Sequence, residues 1–175
     1  PHSKTHKCPA IAWKQLRAGA VGITCAKVGE AEAMAGAGIK DILIANQVIG
    51  RTKIARLMGL AADTEIMVAV EAMENARELS EAAVAAGVRL RAIVEVDTGM
   101  GRCGTLPGSE TLALAREMAR LPGLRLEGIM GYEGHAVMIP NLAERRAAVE
   151  KAMGALVSTA EQIRKAGIAV GIVSA

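Results

Sequence analysis

Short apolar runs recur along the chain, and several are nearly continuous in apolar residues instead of alternating with polar ones. Six runs are rich in β-branched and aliphatic residues: AVGITCA (20–26), DILIANQ (41–47), EIMVAVE (65–71), RAIVEVD (91–97), LEGIMGY (126–132) and VGIVSA (170–175). Continuous apolar runs of this length are typical of parallel strands that helices cover on both faces. The pattern therefore predicts six buried, parallel strands.

Helical periodicity fills the gaps between these runs. Apolar residues fall at three- and four-residue spacing in four Ala/Glu/Arg-rich segments: 29–38, 75–87, 110–123 and 142–167. Each segment ends on a glycine, which predicts a C-terminal cap. The resulting β-α-β-α order predicts a parallel α/β fold, either an open doubly wound sheet or a closed barrel.

The length of the chain limits how much of a barrel it can form. A closed eight-stranded barrel usually needs about 250 residues, whereas this sequence has 175. We expect PHSKTHK (1–7) to be the carboxyl end of a seventh strand. Residues 1–175 are therefore expected to form one partial barrel domain, incomplete at both ends. Its chemistry is expected at the carboxyl ends of the strands.

Composition excludes several classes of partner. The chain is 51% hydrophobic with a mean hydropathy of +0.29, no Phe, one Trp and one Tyr, which predicts an ordered, aliphatic core. Its formal charge of +3 is scattered, without the basic clusters and stacking aromatics of nucleic-acid binders. No apolar run is long enough to span a bilayer, so we expect no membrane partner. Three widely spaced cysteines predict reduced thiols and a cytoplasmic location.

PHSKTHK places one lysine between two histidines. If the segment is extended, His2, Lys4 and His6 project to the same face. A lysine inside a barrel mouth loses hydration, which lowers its pKa and frees the amine as a nucleophile. Such an amine forms a Schiff base with a carbonyl substrate or with pyridoxal phosphate. The alternative is a solvated terminus with ordinary basic residues.

VDTGMGRCGTLPG (96–108) contains a glycine pattern, G-x-G-x-x-G, that resembles a dinucleotide-binding fingerprint. Leu106-Pro107-Gly108 separates this pattern from the next helix, which argues against nucleotide binding. The favoured interpretation is a flexible loop, anchored by Asp97, that presents Arg102 over the barrel mouth to an anionic oxygen. A surface loop with a solvated arginine is the alternative. Beside Arg102, Cys103 is expected to have a lowered pKa.

Two further strand ends carry polar side chains. In GYEGH (131–135), Tyr132 can stack on a planar cofactor or fill the core, and Glu133 and His135 are candidate acid–base groups. These two residues lack partners at metal-ligand spacing, so no complete metal site is expected in this chain. Ser174 is a candidate first residue of a phosphate-binding turn.

These stretches together resemble one family. P-H-x-K-T-H-K, VGITCAKVGEAE, DILIANQVIG, VEVDTGMGRCG and GYEGH followed by ERRAAV are similar to D-threonine aldolase and eukaryotic-type D-serine dehydratase, in order from residue 1 to 175. The resemblance implies a pyridoxal-phosphate enzyme with a (β/α)8 barrel of the alanine racemase type. It implies that Lys4 carries the cofactor, that Arg102 lies near its phenolic oxygen, that Tyr132 contacts it and that Ser174 borders its phosphate.

The resemblance also implies the reaction and features outside this chain. It implies a lyase acting on β-hydroxy-D-amino acids, as an aldolase or a dehydratase, and a homodimer when full length. Family members have a C-terminal β-domain that holds a divalent metal (Mn, Mg or Zn), and this domain is absent from residues 1–175. Many aldolases also have a second histidine about where Met138 stands. An amino-acid racemase and a non-catalytic pyridoxal-phosphate carrier remain the alternatives.

Overall fold

The computed structural model describes all 175 residues of the chain. The helices are α1 (Pro9–Arg17), α2 (Val28–Gly36), α3 (Arg51–Asp63), α4 (Met73–Ala85), α5 (Ser109–Met118) and α6 (Leu142–Lys165). The strands are β1 (Ile23–Cys25), β2 (Asp41–Ile44), β3 (Glu65–Val70), β4 (Leu90–Val96), β5 (Leu124–Gly131) and β6 (Ile172–Ser174). A short 3-10 helix, Gly134–Ala136, follows β5. None of the helices has the combination of length and apolar character that crossing a bilayer requires.

The strands pair in the order of the chain, β1-β2-β3-β4-β5-β6. Pairing is parallel: Ile23 lies opposite Ile42, which lies opposite Ile66. In a doubly wound sheet the strand order reverses at a switch point, whereas a barrel sheet keeps the order of the chain. The observed order therefore favours the barrel over the open alternative, and all six predicted strands are present. The expected burial is wrong for β6, which is half-buried to exposed because it is the last strand of the six-stranded sheet.

Two helices were not identified from the sequence. The signal for α3 is present, because Ile54, Leu57 and Met58 are buried at helical spacing. In α1, Ala12 is the one buried residue, so its pattern is too weak to predict. Pro9 is the first residue of α1, a position whose N–H has no partner within the helix, so proline loses no hydrogen bond there.

The contacts divide the chain into two compact units. The first comprises Pro1–Ala69, Glu74–Ala92 and Pro122–Arg125, and the second comprises Val70–Met73, Ile93–Leu121 and Leu126–Ala175. The core of each unit is aliphatic, as predicted. Fully buried examples are Ile23, Ile42, Ile44, Leu57 and Leu79 in the first unit, and Ile93, Val94, Met118, Leu156 and Ile163 in the second. Burying such a side chain contributes about 1.5–3 kcal/mol.

The predicted glycine caps are confirmed at three of the four helices. Gly38, Gly87 and Gly167 have φ of 87°, 69° and 81° just past α2, α4 and α6. The prediction for Gly123 is wrong, because α5 ends earlier, at Met118. The Gly123 N–H donates to Ser80 Oγ at 3.1 Å, and a Cβ there would lie 2.1 Å from the Ser80 carbonyl oxygen. Close backbone approach, not a left-handed cap, requires this glycine.

The β5–β6 pairing predicts a large effect for one glycine substitution. Gly128 pairs with Ile172, and a Cβ at Gly128 would lie 1.9 Å from the Ile172 carbonyl oxygen. We expect Gly128→Ala to lower the free energy of unfolding by about 2–3 kcal/mol, measured by urea unfolding. Gly154→Ala is the control, because open space surrounds Gly154 within α6. It should instead raise stability by about 0.5–1 kcal/mol. Equal stability of Gly128→Ala and the wild type would contradict the register.

Candidate active site

The N-terminal segment continues the sheet beside β1. Thr24 donates its N–H to the Pro1 carbonyl oxygen at 2.8 Å, and Ser3 donates its N–H to the Thr24 carbonyl oxygen at 2.7 Å. His2 forms a parallel bridge with Thr24. Pro1–Ser3 therefore lies beside β1 as predicted for the carboxyl end of another strand.

The chain turns immediately after Ser3. Lys7 donates its N–H to the Ser3 carbonyl oxygen at 2.7 Å and has a φ of 47°. The extended conformation that would project His2, Lys4 and His6 to one face therefore ends at Ser3 and does not reach His6. The physical reason is that the chain must reverse to enter α1.

Lys4 lies in this turn, and its backbone is held on both sides. Ser3 is fully buried, and its Oγ donates to the Thr24 carbonyl oxygen at 3.0 Å and lies 3.4 Å from Cys25 Sγ. The Lys4 N–H donates to Nδ1 of His2 at 3.2 Å. Burial, and then the positive charge of Lys4, lower the pKa of His2, which favours the neutral imidazole that can accept this bond.

The Lys4 side chain itself is exposed. The expectation of a dehydrated amine inside a barrel mouth is therefore wrong for this chain, because the turn exposes the side chain. What the structure does provide is a fixed backbone position for a primary amine at the end of a strand.

A cavity of about 670 Å³ lies in the first unit beside this turn. The residues at the carboxyl ends of β1 and β2 line it, together with Lys7 from the turn and the cationic side chains Lys27, Lys53 and Arg56. A cavity of this size accommodates a small-molecule ligand. Glu30 also lines the cavity and pairs with Lys7, and Arg56 pairs with Glu32. This leaves Lys27 and Lys53 as the cations that favour an anionic ligand.

In the second unit, β4 leads into a tightly bonded loop, residues 97–105. The Asp97 carboxylate accepts N–H bonds from Gly101 and Gly99, at 3.0 and 2.9 Å, and these bonds lower the pKa of Asp97. Asp97 thus anchors the loop backbone, as predicted. Gly99, Gly101 and Gly104 all have positive φ, so backbone geometry requires glycine at each. α5 starts later, at Ser109, which supports the rejection of a dinucleotide site.

The loop brings Arg102 to Tyr132. The Arg102 guanidinium carbon lies 5.8 Å from the centroid of the Tyr132 ring, a distance typical of a cation–π contact. Both side chains remain exposed. The structure therefore places these two predicted cofactor-binding residues together.

Two buried polar atoms without hydrogen-bond partners lie on the segment after Tyr132. They are Oε2 of Glu133 and Nδ1 of His135. The His135 ring lies against the loop, since a Cβ on Gly99 would come within 3.3 Å of its Cε1. Buried polar atoms are almost always paired, so unpaired ones are typical of a position that a ligand or ordered water fills.

A cluster of three side chains beside this loop was missed by the sequence analysis. A carboxylate oxygen of Glu71, a carboxylate oxygen of Glu95 and the Sγ of Cys103 lie within 4.8 Å of one another. Burial, followed by the charges of Glu95 and Glu71, raises the pKa of Cys103. The expected lowering by Arg102 is therefore wrong, because these opposing influences are larger. Glu95 interrupts the apolar run of β4 and Glu71 ends that of β3. Charged residues at such positions are the sequence feature that could have indicated this cluster.

Ser174 ends β6, where it pairs with Met130 of β5 and is half-buried. This position agrees with the expected strand end. Its role at a cofactor phosphate stays a prediction, as do the roles assigned to Lys4, Arg102 and Tyr132.

The family profile of the alanine racemase N-terminal domain matches residues 2–175. The chain belongs to this family. The predicted fold class, a parallel α/β barrel of the alanine racemase type with fewer than eight strands, is confirmed by this match and by the solved structures below. That residues 1–175 form a single domain stays a prediction.

Comparison with known proteins gives relatives within the family. D-threonine aldolase from an Arthrobacter species is 42% identical over 169 residues, which cover 97% of this chain and 45% of that protein. The crystal structure of D-threonine aldolase from Filomicrobium marinum matches with a TM-score of 0.97 and 40% identity, over 100% of this chain and 48% of the other. The structure of D-threo-3-hydroxyaspartate dehydratase from Delftia sp. HT23 matches with a TM-score of 0.87 and 27% identity. The match covers 99% of this chain and 46% of the other.

The chain therefore spans about half the length of the proteins it matches. The resemblance to D-threonine aldolase that the sequence motifs indicated is confirmed.

The bonds of Asp97 predict a pH-dependent contribution to stability. The folded state lowers the pKa of Asp97 from its ordinary value of 3.8. The ionised Asp97 therefore stabilises the folded state at any pH above 3.8, and this stabilisation is lost as the pH falls through the lowered pKa. We expect Asp97→Asn to reduce the free energy of unfolding at pH 7 by about 1 kcal/mol, since these bonds are partly exposed. Denaturant unfolding at several pH values measures this difference.

The difference between Asp97→Asn and the wild type should shrink as the pH falls below about 4. Asp63→Asn, at an exposed position at the end of α3, is the matched control. A constant difference down to pH 2 would contradict the assigned role of the carboxylate.

Proposed function

We propose that this chain is the cofactor-binding part of a pyridoxal-phosphate lyase that acts on β-hydroxy-D-amino acids. The observation that carries the proposal is the similarity to D-threonine aldolases over nearly the whole chain, in sequence and in structure. The similarity to a dehydratase of a 3-hydroxy amino acid supports the same substrate class. Cleavage of Cα–Cβ and removal of water are the two reaction branches.

The donor set fits pyridoxal phosphate. Lys4 offers a primary amine for the aldehyde carbon, and Arg102 offers a guanidinium for the phenolic oxygen. Tyr132 offers an aromatic face beside Arg102. The unpaired polar atoms of Glu133 and His135 support a ligand near this segment. When bound, the cofactor supplies an electron sink for the bond broken at Cα.

Each residue of the chain then has a separate task. Lys4 attaches the cofactor covalently, and the bonds of Ser3 and His2 hold its backbone in place. Arg102 would hold the phenolic oxygen in a fixed direction through its permanently charged guanidinium. Ser174 is assigned to the phosphate through its hydroxyl.

A divalent metal and a second subunit also belong to the proposal. In this reaction class a metal ion activates the substrate hydroxyl. We expect its ligands outside residues 1–175 and assign no residue of this chain to it. We further propose a homodimer in the cytoplasm.

A racemase is the second candidate, because the matching family profile is that of alanine racemase. The two functions differ in products. A lyase converts D-threonine to glycine and acetaldehyde, or to 2-oxobutanoate and ammonia. A racemase converts D-alanine to L-alanine.

The test is an assay of the full-length protein with pyridoxal phosphate, a divalent metal and each of D-threonine, D-serine and D-alanine. We expect turnover of a β-hydroxy-D-amino acid and none of D-alanine. Lys4→Ala should reduce this turnover below detection, whereas Lys14→Ala, an exposed substitution in α1, should not change it. Formation of L-alanine alone would favour the racemase, and cofactor binding without any turnover would favour a carrier protein.

A further inference from the structure

We propose that Glu71 is a positioning residue that fixes the loop bearing Arg102 by accepting a hydrogen bond from the Gly104 N–H. Where it concerns the cofactor, this inference rests on the proposed function. The hydrogen bond itself does not.

Glu71 reaches the loop from another strand. It follows β3 directly, and its Oε2 accepts the N–H of Gly104 in a short, partly buried bond. Gly104 lies two residues after Arg102, so this bond fixes the backbone next to the guanidinium-bearing residue. Glu71 is itself half-buried, which reduces competition from water for the same acceptor.

Gly104 is folded closely against the end of β4. Its φ is 106°, and a Cβ there would lie 2.5 Å from the Asp97 N and 2.6 Å from the Val96 carbonyl carbon. No other residue fits this position without moving the backbone. The Gly104 N–H therefore has a set direction, and Glu71 lies where it points.

The rest of the loop is held by other means. Asp97 donates its N–H to the Thr105 carbonyl oxygen, and Thr105 donates its N–H to the Glu95 carbonyl oxygen, both at 2.9 Å. These two bonds join the first and last residues of the loop to the end of β4. The Asp97 carboxylate fixes the first half through Gly99 and Gly101. The second half, which contains Arg102 and Cys103, lies between Gly101 and Thr105, and the Gly104 N–H bonds it to Glu71. Glu71 thus governs the part of the loop that sets the contact of Arg102 with Tyr132.

The carboxylate also leaves a measurable electrostatic signature. Glu71 contributes, with burial and Glu95, to raising the pKa of Cys103, while Arg102 acts in the opposite direction. Replacing Glu71 by glutamine keeps an oxygen acceptor for Gly104 but removes the charge. Replacing it by alanine removes both. The two variants therefore separate the hydrogen bond from the charge.

The first measurement is hydrogen exchange of the Gly104 amide in the full-length protein. We expect Glu71→Ala to speed exchange about tenfold, since a charge-assisted bond is lost. Glu71→Gln should stay within about threefold of the wild type because its carbonyl oxygen still accepts. Glu78→Ala, at an exposed position on α4, is the control and should show no change. Unchanged exchange in Glu71→Ala would overturn the inference.

The second measurement is the pH profile of Cys103 alkylation. Both Glu71→Ala and Glu71→Gln should lower the apparent pKa of the thiol and speed alkylation at pH 7, because both remove the charge. The inference requires Glu71→Gln to resemble the wild type in amide exchange and Glu71→Ala in thiol alkylation. A purely structural role would make Glu71→Gln resemble the wild type in both measurements, or resemble Glu71→Ala in both. Either pattern would overturn the inference.

The third measurement is the affinity for pyridoxal phosphate, followed by fluorescence titration. Displacement of Arg102 should weaken binding about tenfold or more in Glu71→Ala and much less in Glu71→Gln. If the wild type does not bind the cofactor, the proposed function fails, while the exchange and alkylation results still decide the role of Glu71. If the wild type binds and Glu71→Ala binds equally well, the positioning of Arg102 by Glu71 is refuted.

Discussion

Parallel pairing of successive strands is the interaction on which the rest of the molecule depends. It fixes the register of β1, β2 and β3 through Ile23, Ile42 and Ile66. Barrel enzymes place their chemistry at the carboxyl ends of their parallel strands. Each proposed cofactor residue lies at such an end. Lys4 follows Pro1–Ser3, the Arg102 loop follows β4, Tyr132 follows β5 and Ser174 ends β6.

In each unit, buried or half-buried polar groups fix the backbone of the segment that follows a strand end. Ser3 ties the turn of Lys4 to Thr24, and Asp97 and Glu71 tie the two halves of the Arg102 loop. In both places the polar group bonds to backbone, so the proposed cofactor-binding side chain is positioned without being buried. Lys4 and Arg102 are both exposed, which leaves each available to a ligand.

The sequence predicted the features that depend on local pattern. Continuous apolar runs marked the strands, and a glycine after helical periodicity marked three C-terminal caps. Leu106-Pro107-Gly108 predicted that α5 starts some way after the glycine pattern, as it does at Ser109. The features that it missed depend on contacts between distant residues. Gly123 is needed because of Ser80, and the turn of Lys4 depends on a bond from Lys7 back to Ser3. The pKa of Cys103 is raised by burial and then by the charges of Glu95 and Glu71.

The central claim is that one amine, held at the end of a strand, attaches the cofactor. Reduction of the full-length protein with borohydride in the presence of pyridoxal phosphate, followed by peptide mapping, tests it most directly. The account predicts a single pyridoxyl modification on Lys4, within the peptide PHSKTHK, and none on Lys7 or Lys27. A stable modification at another lysine, or no modification at all, would contradict it.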